Sequence, residues 1–386
     1  MKFYLSLFFT VLSLIVNAQV KEFIIVDSLS NKPINAVSAY FTAKNEGTVS
    51  NEDGKVKIYF SNPNDKLRLS HVAYNPTEIV LKDYFKLDTI RLSRSSILLM
   101  EVAVYDFDLK KKLAELLKKY EQLYLNQPVI YDCTYKESVK VNDSLARLSQ
   151  VQLKWYDKNY RLDFRKPFDK QNQISLINID YSKLIENAAE AHKGYVENEY
   201  LFKLLHLNFY TLVVNRGTDI TIQSINKTAN YTKVTFTTPI MEDGEIVMYL
   251  NDGIIYFDNA TGAISELDFT YDYNNHKENL TSKAGTPYIT ETKKHHVNLS
   301  FKKVEDKWVI NTLKSALDGE FTSNNKKEDI KITQEFLITK TQKGVEIPKK
   351  EQIDLKKPFY ENLAQTTNLD PKIPLTKEEE AFMKKK

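Results

Sequence analysis

Short stretches in which apolar and polar residues alternate recur from residue 19 to residue 104: KEFIIVD, AVSAYFTA, GTVS, KVKIYF, KLRLSHVAY, TEIVL, DTIRL and EVAVYD. They are rich in Val, Ile, Tyr, Phe and Leu and are separated by Asn, Pro, Asp and Gly, the composition of strands joined by turns. Several short strands at this spacing predict a β-sandwich over residues 19–104. The tetrapeptide NEDG falls between two of them, where Gly54 is free to take positive φ and Asn51 or Asp53 can accept hydrogen bonds from the turn backbone. A calcium loop is the competing reading. Asn51 would suit it, but Val49 stands where an oxygen ligand is needed, and no acid lies between Lys55 and Asn64. Asn51, Asp53 and Gly54 are therefore read as a structural turn.

At residue 105 the period changes. In DFDLKKKLAELLKKYEQLYLN the residues Leu109, Leu113, Leu116, Leu117, Tyr120 and Leu123 recur at helical spacing after Asp106 or Asp108 as N-cap. This predicts a linker helix over 105–126, its lysines forming a solvated face. Residues 127–345 return to alternation, interrupted by DYSKLIENAAEAHKGYVENEYLFKLLHL, which reads as helical. Consecutive hairpins with one or two helices predict an α+β domain, a curved antiparallel sheet packed on helices in a half-barrel-like arrangement. Phe236, Met248, Tyr256, Phe269 and Tyr271 are the candidates for its concave face. Residues 346–386, rich in Lys, Pro and Glu, read as an extended tail with at most a short helix.

The first residues change the compartment. MKFYLSLFFTVLSLIVNAQ carries Lys2, an apolar run from Phe3 to Val16 and then Val16-Asn17-Ala18, the form of a secretory signal over residues 1–18. The run is shorter than the ~20 residues of a spanning helix, so no transmembrane segment is expected after cleavage. An exported chain with a single cysteine, Cys133, makes no internal disulfide and must stand on packing. With 386 residues, 42% of them hydrophobic, it has material for two cores. The net charge of +3, from 54 basic and 51 acidic residues interspersed, supplies no field for nucleic acid, and none is expected as a partner.

Glycine spacing narrows the chemistry further. The 10 glycines are nowhere close enough for a dinucleotide fingerprint, a P-loop or a nucleophile elbow. The 6 histidines include no His-Glu-x-x-His, and His295 and His296 are adjacent in an alternating segment, where successive side chains point to opposite faces. Neither catalytic residues, nor metal ligands, nor a cofactor are expected.

The N-terminal residues resemble a family, the carboxypeptidase regulatory-like domain. The matching pieces are Val26-Asp27, Lys32 to Ile34, GTVSNEDGK from Gly47 to Lys55, LRLSHVAY from Leu67 to Tyr74 and LLMEVAV from Leu98 to Val104, in the family's order. Where the family usually carries glycine this chain has residues near Phe23 and Ala73. The resemblance implies a seven-stranded Ig/transthyretin-like β-sandwich and a non-catalytic accessory role in the bacterial cell envelope. The fold expected for the whole is thus mainly β with an α+β second domain. The function expected is an exported, non-catalytic interaction or scaffold module with an envelope protein partner, periplasmic or outer-membrane-associated. The alternative is a periplasmic carrier that holds a lipid or other apolar ligand in the concave face of the second domain.

Overall fold

The computed structural model describes residues 19–41, 46–71, 73–94, 107–185, 196–281, 285–366 and 371–385. The expected signal, the LLMEVAV segment and the domain boundary near residue 105 lie outside these. The described residues fall into two compact units, one drawn from the chain up to residue 95 with Lys372–Thr376, the other from residues 96–371 and 377–386.

In the first unit β1 (Gln19–Asp27) pairs antiparallel with β4 (Lys55–Phe60) and parallel with β7 (Thr89–Leu92). A second sheet has the order β3 (Gly47–Val49), β2 (Ser38–Phe41), β5 (Lys66–Ser70), β6 (Thr77–Val80). Alternation sets what is buried: Phe23 and Ile25 of β1, Val56 and Ile58 of β4, and Leu67 and Leu69 of β5 enter one cluster while their neighbours face out. Ile373 and Leu375 of the returning C-terminal segment are also buried, and Asn51 Nδ2 donates to the Pro374 carbonyl at 3.0 Å.

The second unit is a single ten-stranded antiparallel sheet. In space its order is β10 (Asn172–Leu184), β9 (Ser144–Asp157), β8 (Val129–Val141), β17 (Lys326–Lys343), β16 (Lys307–Ser323), β15 (Pro287–Val304), β14 (Ile264–Thr281), β13 (Glu245–Asp258), β12 (Tyr231–Glu242), β11 (Thr221–Lys227). Two meanders, β8–β10 and β11–β17, are joined by the pairing of β17 with β8. Tight reversals hold the hairpins, with Asn142-Asp143, Asp243-Gly244 and Asn324-Asn325 all at positive φ, the conformation that matches strand twist.

Because β10 and β11 are the two edges, the chain between them must cross one whole face, roughly 40 Å if the sheet were flat, from nine steps of ~4.8 Å. It does so through two short helices, α3 (Asn198–Lys203) and α4 (Leu207–Arg216). Phe202 of α3 meets Trp155 of β9 and Phe336 of β17, at ring distances of 5.9 and 5.3 Å. Tyr210 of α4 meets Phe269 of β14 at 5.7 Å. So short a crossing reaches strands this far apart only because the sheet curls around it, and register shifts along most strand pairs supply the bends.

The expected fold class is corrected here. The chain is not a seven-stranded sandwich followed by an α+β domain: its dominant element is the ten-stranded sheet, and the N-terminal strands form separate sheets of three and four. The segment expected to be helical from Asp180 begins as strand, since Tyr181 to Leu184 complete the ladder of β10 against β9, and among the described residues of this segment regular helix starts at Asn198. Edge pairing satisfies the backbone there and overrides helix propensity. The expected linker helix is α1 (Leu109–Lys118), capped by the Asp108 carboxylate, which accepts from Lys111 N, and followed by the single turn α2 (Tyr120–Leu123). Leu109, Leu113 and Leu116 are buried in the sheet's core cluster, so this helix is part of the second unit. Residues 377–384 form α5, whose Glu379 pairs with the buried Lys136 at 2.7 Å.

Candidate functional site

The concave face is apolar because one parity of each strand faces it: Tyr131, Cys133 and Tyr135 on β8, Phe269 and Tyr271 on β14, Val297 and Leu299 on β15. Leu201, Phe202, Leu204, Leu205 and Leu207 of the crossing are fully buried against it; each such burial stabilises by about 1.5–3 kcal/mol. One end of the trough is sealed by Tyr120, Tyr124 and Tyr160. The Tyr160 hydroxyl donates to the Leu205 carbonyl at 2.7 Å, and the Tyr124 hydroxyl donates to the Ile264 carbonyl at 3.0 Å. Toward the other end the cover thins. Met248, Tyr273, Tyr288, Leu317 and Ile330 pack against the core but stay half-buried.

Of the five concave-face candidates, Phe236 and Phe269 are fully buried there and packed edge to face at 5.7 Å; Tyr271 follows at 6.1 Å from Phe269, and Met248 lies at the half-covered end. Gly253 makes this packing possible, since a Cβ on it would meet the Phe236 ring at 2.7 Å. Tyr256 is the correction. It stands outside the core cluster with Tyr231, under the Lys233 ammonium, while its neighbours Ile255 and Phe257 face inward. The register shift at Leu250/Asp252, between Met248 and Tyr256, sets that parity, which strict alternation from sequence does not reveal.

The turn residues sit in the first unit. Asn51 Oδ1 accepts from Asp53 N at 3.0 Å and Lys55 N at 2.9 Å. Gly54 has φ +71°, and a Cβ there would lie 2.5 Å from the Ile25 carbonyl oxygen.

Three polar groupings interrupt the concave wall. Arg147 and Glu137 form a buried ion pair at 2.8 Å, roofed by the Tyr360 ring 4.1 Å from the guanidinium. Under the crossing, His206 donates through Nδ1 to the Phe202 carbonyl, leaving Nε2 without a partner, and Asp157 Oδ2, Tyr131 OH and Asn172 Nδ2 are likewise buried and unpartnered. The third grouping is Ser315, His295 and Tyr200: Ser315 Oγ lies 2.8 Å from His295 Nε2, and the Tyr200 hydroxyl 3.3 Å from Nδ1. The spacing is that of a nucleophile and its base, but burial holds the imidazole down to about 4, too low for a base working near neutrality. Sequence reasoning missed this grouping. Ser315 faces Val297 across the ladder, diagonal to His295, and Tyr200 arrives from the crossing, so no local signal joins them.

On the opposite face His296 Nε2 meets Asp268 at 3.0 Å, and Asn298 bridges Glu266 and Asp268. Among the described residues no cluster of three or more metal-ligating side chains converges, and no helix is long and apolar enough to cross a membrane. A cavity of about 250 Å3 lies near the start of α1, lined by Phe107, Lys112, Lys227, Phe257 and Asn259 among others; it is below the ~300–1,000 Å3 of ordinary ligand pockets.

No protein-family model matches the chain, and no curated protein matches it. Among solved structures it is similar to a LolA superfamily protein from Nitrosomonas europaea, at 7% identity and TM-score 0.24, covering 62% of this chain and 96% of that one. It is also similar to a DUF1329 family protein from Desulfovibrio piger, at 9% identity and TM-score 0.27, covering 63% and 96%. Superpositions at this level carry no functional argument.

Proposed function

We propose that this chain is an exported envelope protein that carries an apolar ligand, a lipid, on the concave wall of its second unit. The observation that supports this is the uneven cover of that wall. It is apolar between its three polar groupings, yet two helices of 6 and 10 residues are the crossing that covers it, and Met248, Tyr273, Tyr288, Leu317 and Ile330 remain half-buried beyond them. Apolar surface of this kind, continuous with a core, gains by burying a hydrocarbon chain. Export follows from the signal-like first residues. The first unit, by its resemblance to carboxypeptidase regulatory-like domains, is a non-catalytic accessory, and the whole is not an enzyme.

A second reading, a scaffold for an envelope protein partner, is favoured by the filled middle of the trough, where Phe202, Leu204, Leu205 and Tyr210 occupy the space a deep pocket would need. Native purification from the envelope, with mass spectrometry of both lipids and proteins, separates the two. A stoichiometric lipid supports the carrier. A reproducible protein partner with no lipid supports the scaffold and overturns the carrier.

A further inference from the structure

The chemistry of the ligand's polar end is written on the same wall. Tyr271 is 4% exposed and its hydroxyl has no partner. Its ring stands 6.2 Å from that of His295, which is 1% exposed, as is Ser315. Ser315, neutral His295 and Tyr200 carry three hydrogen-bond donors but make two links. With the proton on Nε2, Tyr200 donates to Nδ1 and the Ser315 hydroxyl is left over. With the proton on Nδ1, Ser315 donates to Nε2, and Tyr200 and Tyr273, which share a hydrogen bond, have one hydroxyl hydrogen between them beyond the one that bond uses. In either tautomer the patch keeps one hydroxyl hydrogen beyond its own links, and Tyr271 adds another.

A donor-rich patch selects a ligand oxygen that accepts. The surrounding side chains, Phe209, Phe269, Met248 and Leu317, are uncharged. A carboxylate or phosphate placed among them would lose its hydration without a cation in return, a penalty of several kcal/mol.

We propose that the ligand bound on this wall is an uncharged acyl ester, its carbonyl oxygen accepting from Tyr271 and from the hydroxyl left over by the Ser315–His295–Tyr200 chain. This rests on the carrier reading. The same wall could bind hydrocarbon without any head-group preference, so the test must separate the two claims.

The full mature chain is titrated by calorimetry with three probes of equal chain length: monoolein, oleate and 1-octadecene. Expected are binding of monoolein in preference to oleate, and a weakening of monoolein by about two- to tenfold in Tyr271→Phe, the worth of one neutral hydrogen bond, with 1-octadecene unchanged. Ser315→Ala should weaken monoolein likewise, and equal melting temperatures of the variants would show that the fold is kept. Equal binding of all three probes, unaffected by either variant, would overturn the head-group assignment and leave the carrier standing. Tighter binding of oleate would overturn the assignment, as would release of oleic acid from monoolein, which would make Ser315 a nucleophile. Binding of none of the three would remove the carrier itself.

Discussion

Asp27 in the first unit and Asp157 in the second are both carboxylates at most 2% exposed, and they are treated differently. Asp27 Oδ2 accepts from Arg94 Nε at 2.6 Å and from the Tyr74 hydroxyl at 3.0 Å, while Oδ1 accepts from the backbone of Leu29 and Ser30. The Arg94 guanidinium, aided by Ser30 and Tyr74, holds this carboxyl well below the usual carboxylate range. Asp157 Oδ2 has no partner, and His206 Nε2 lies 3.7 Å from its other oxygen, longer than a hydrogen bond. Among the described residues the buried polar side-chain atoms without partners are Thr48 Oγ1 in the first unit and, in the second, a group that includes Tyr131, Asn172, His206 and Tyr271. A small core held by satisfied polar groups is rigid and specific. A large trough crossed by a helical strap tolerates unpaired groups along that strap, and such places are where a structure gains least by staying shut.

The sharpest way to break this comparison is to remove the strap's anchor. Phe202→Ala should destabilise the second unit by about 3–5 kcal/mol through the lost ring and the cavity left behind. Both tryptophans, Trp155 and Trp308, lie in that unit, so their fluorescence during denaturant unfolding reports it alone. The expected outcome is a lower fluorescence midpoint with the first unit's transition unmoved.

Acid should act on both units next, since burial holds His71 of the first unit down to about 4 as it does His295 of the second. His295 sits near 4 in the fold against an ordinary 6.5, so the unfolded chain binds that proton first. Stability is lost as pH falls from about 6.5 to about 4, by up to ~3 kcal/mol, and His295→Gln should flatten that part of the second unit's pH profile. Asp27 acts in a different window: its depressed carboxyl contributes stability above the unfolded value near 4, lost as pH falls further. Asp27→Asn should remove that acid limb from the first unit and leave the tryptophan signal alone.

Gly54→Val is expected to have the smallest effect, about 1–3 kcal/mol from the positive φ alone, confined to the first unit. An unchanged first-unit midpoint would mean that the turn relaxes away from the Ile25 carbonyl.

How much of this could be read from sequence varied with how local the cause was. The hairpin reversals at Asn142-Asp143, Asp243-Gly244 and Asn324-Asn325 lie between alternating runs and depend on neighbours in the chain, so the pattern carries them. The β8–β17 pairing does not, because it joins segments nearly two hundred residues apart in sequence with no local signal between them. Strict alternation puts Tyr256 on the inner face, and the one-residue register shift at Leu250/Asp252 inverts that parity. The stretch from Asp180 reads as helix because Lys, Leu, Glu and Ala dominate it, whereas the free edge of β9 decides the state of its first residues, Tyr181 to Leu184. Ser315, His295 and Tyr200 come from two strands and the strap, and only the folded sheet brings them together. The C-terminal stretch reads as an extended tail because its apolar residues are sparse, yet Ile373, Leu375 and Phe382 are each buried.

The central claim, that an apolar ligand lies on the half-covered wall, is tested most directly by oxidative footprinting of the mature chain at Met248 with and without a stoichiometric lipid. Met248 is half-buried at the open end of the trough, and its thioether oxidises in proportion to its access. The account expects the lipid to slow oxidation of Met248 and of Tyr288, leaving Tyr59 of the first unit unaffected. Unchanged oxidation at Met248 and Tyr288, under conditions where the lipid is shown to be bound, would contradict it.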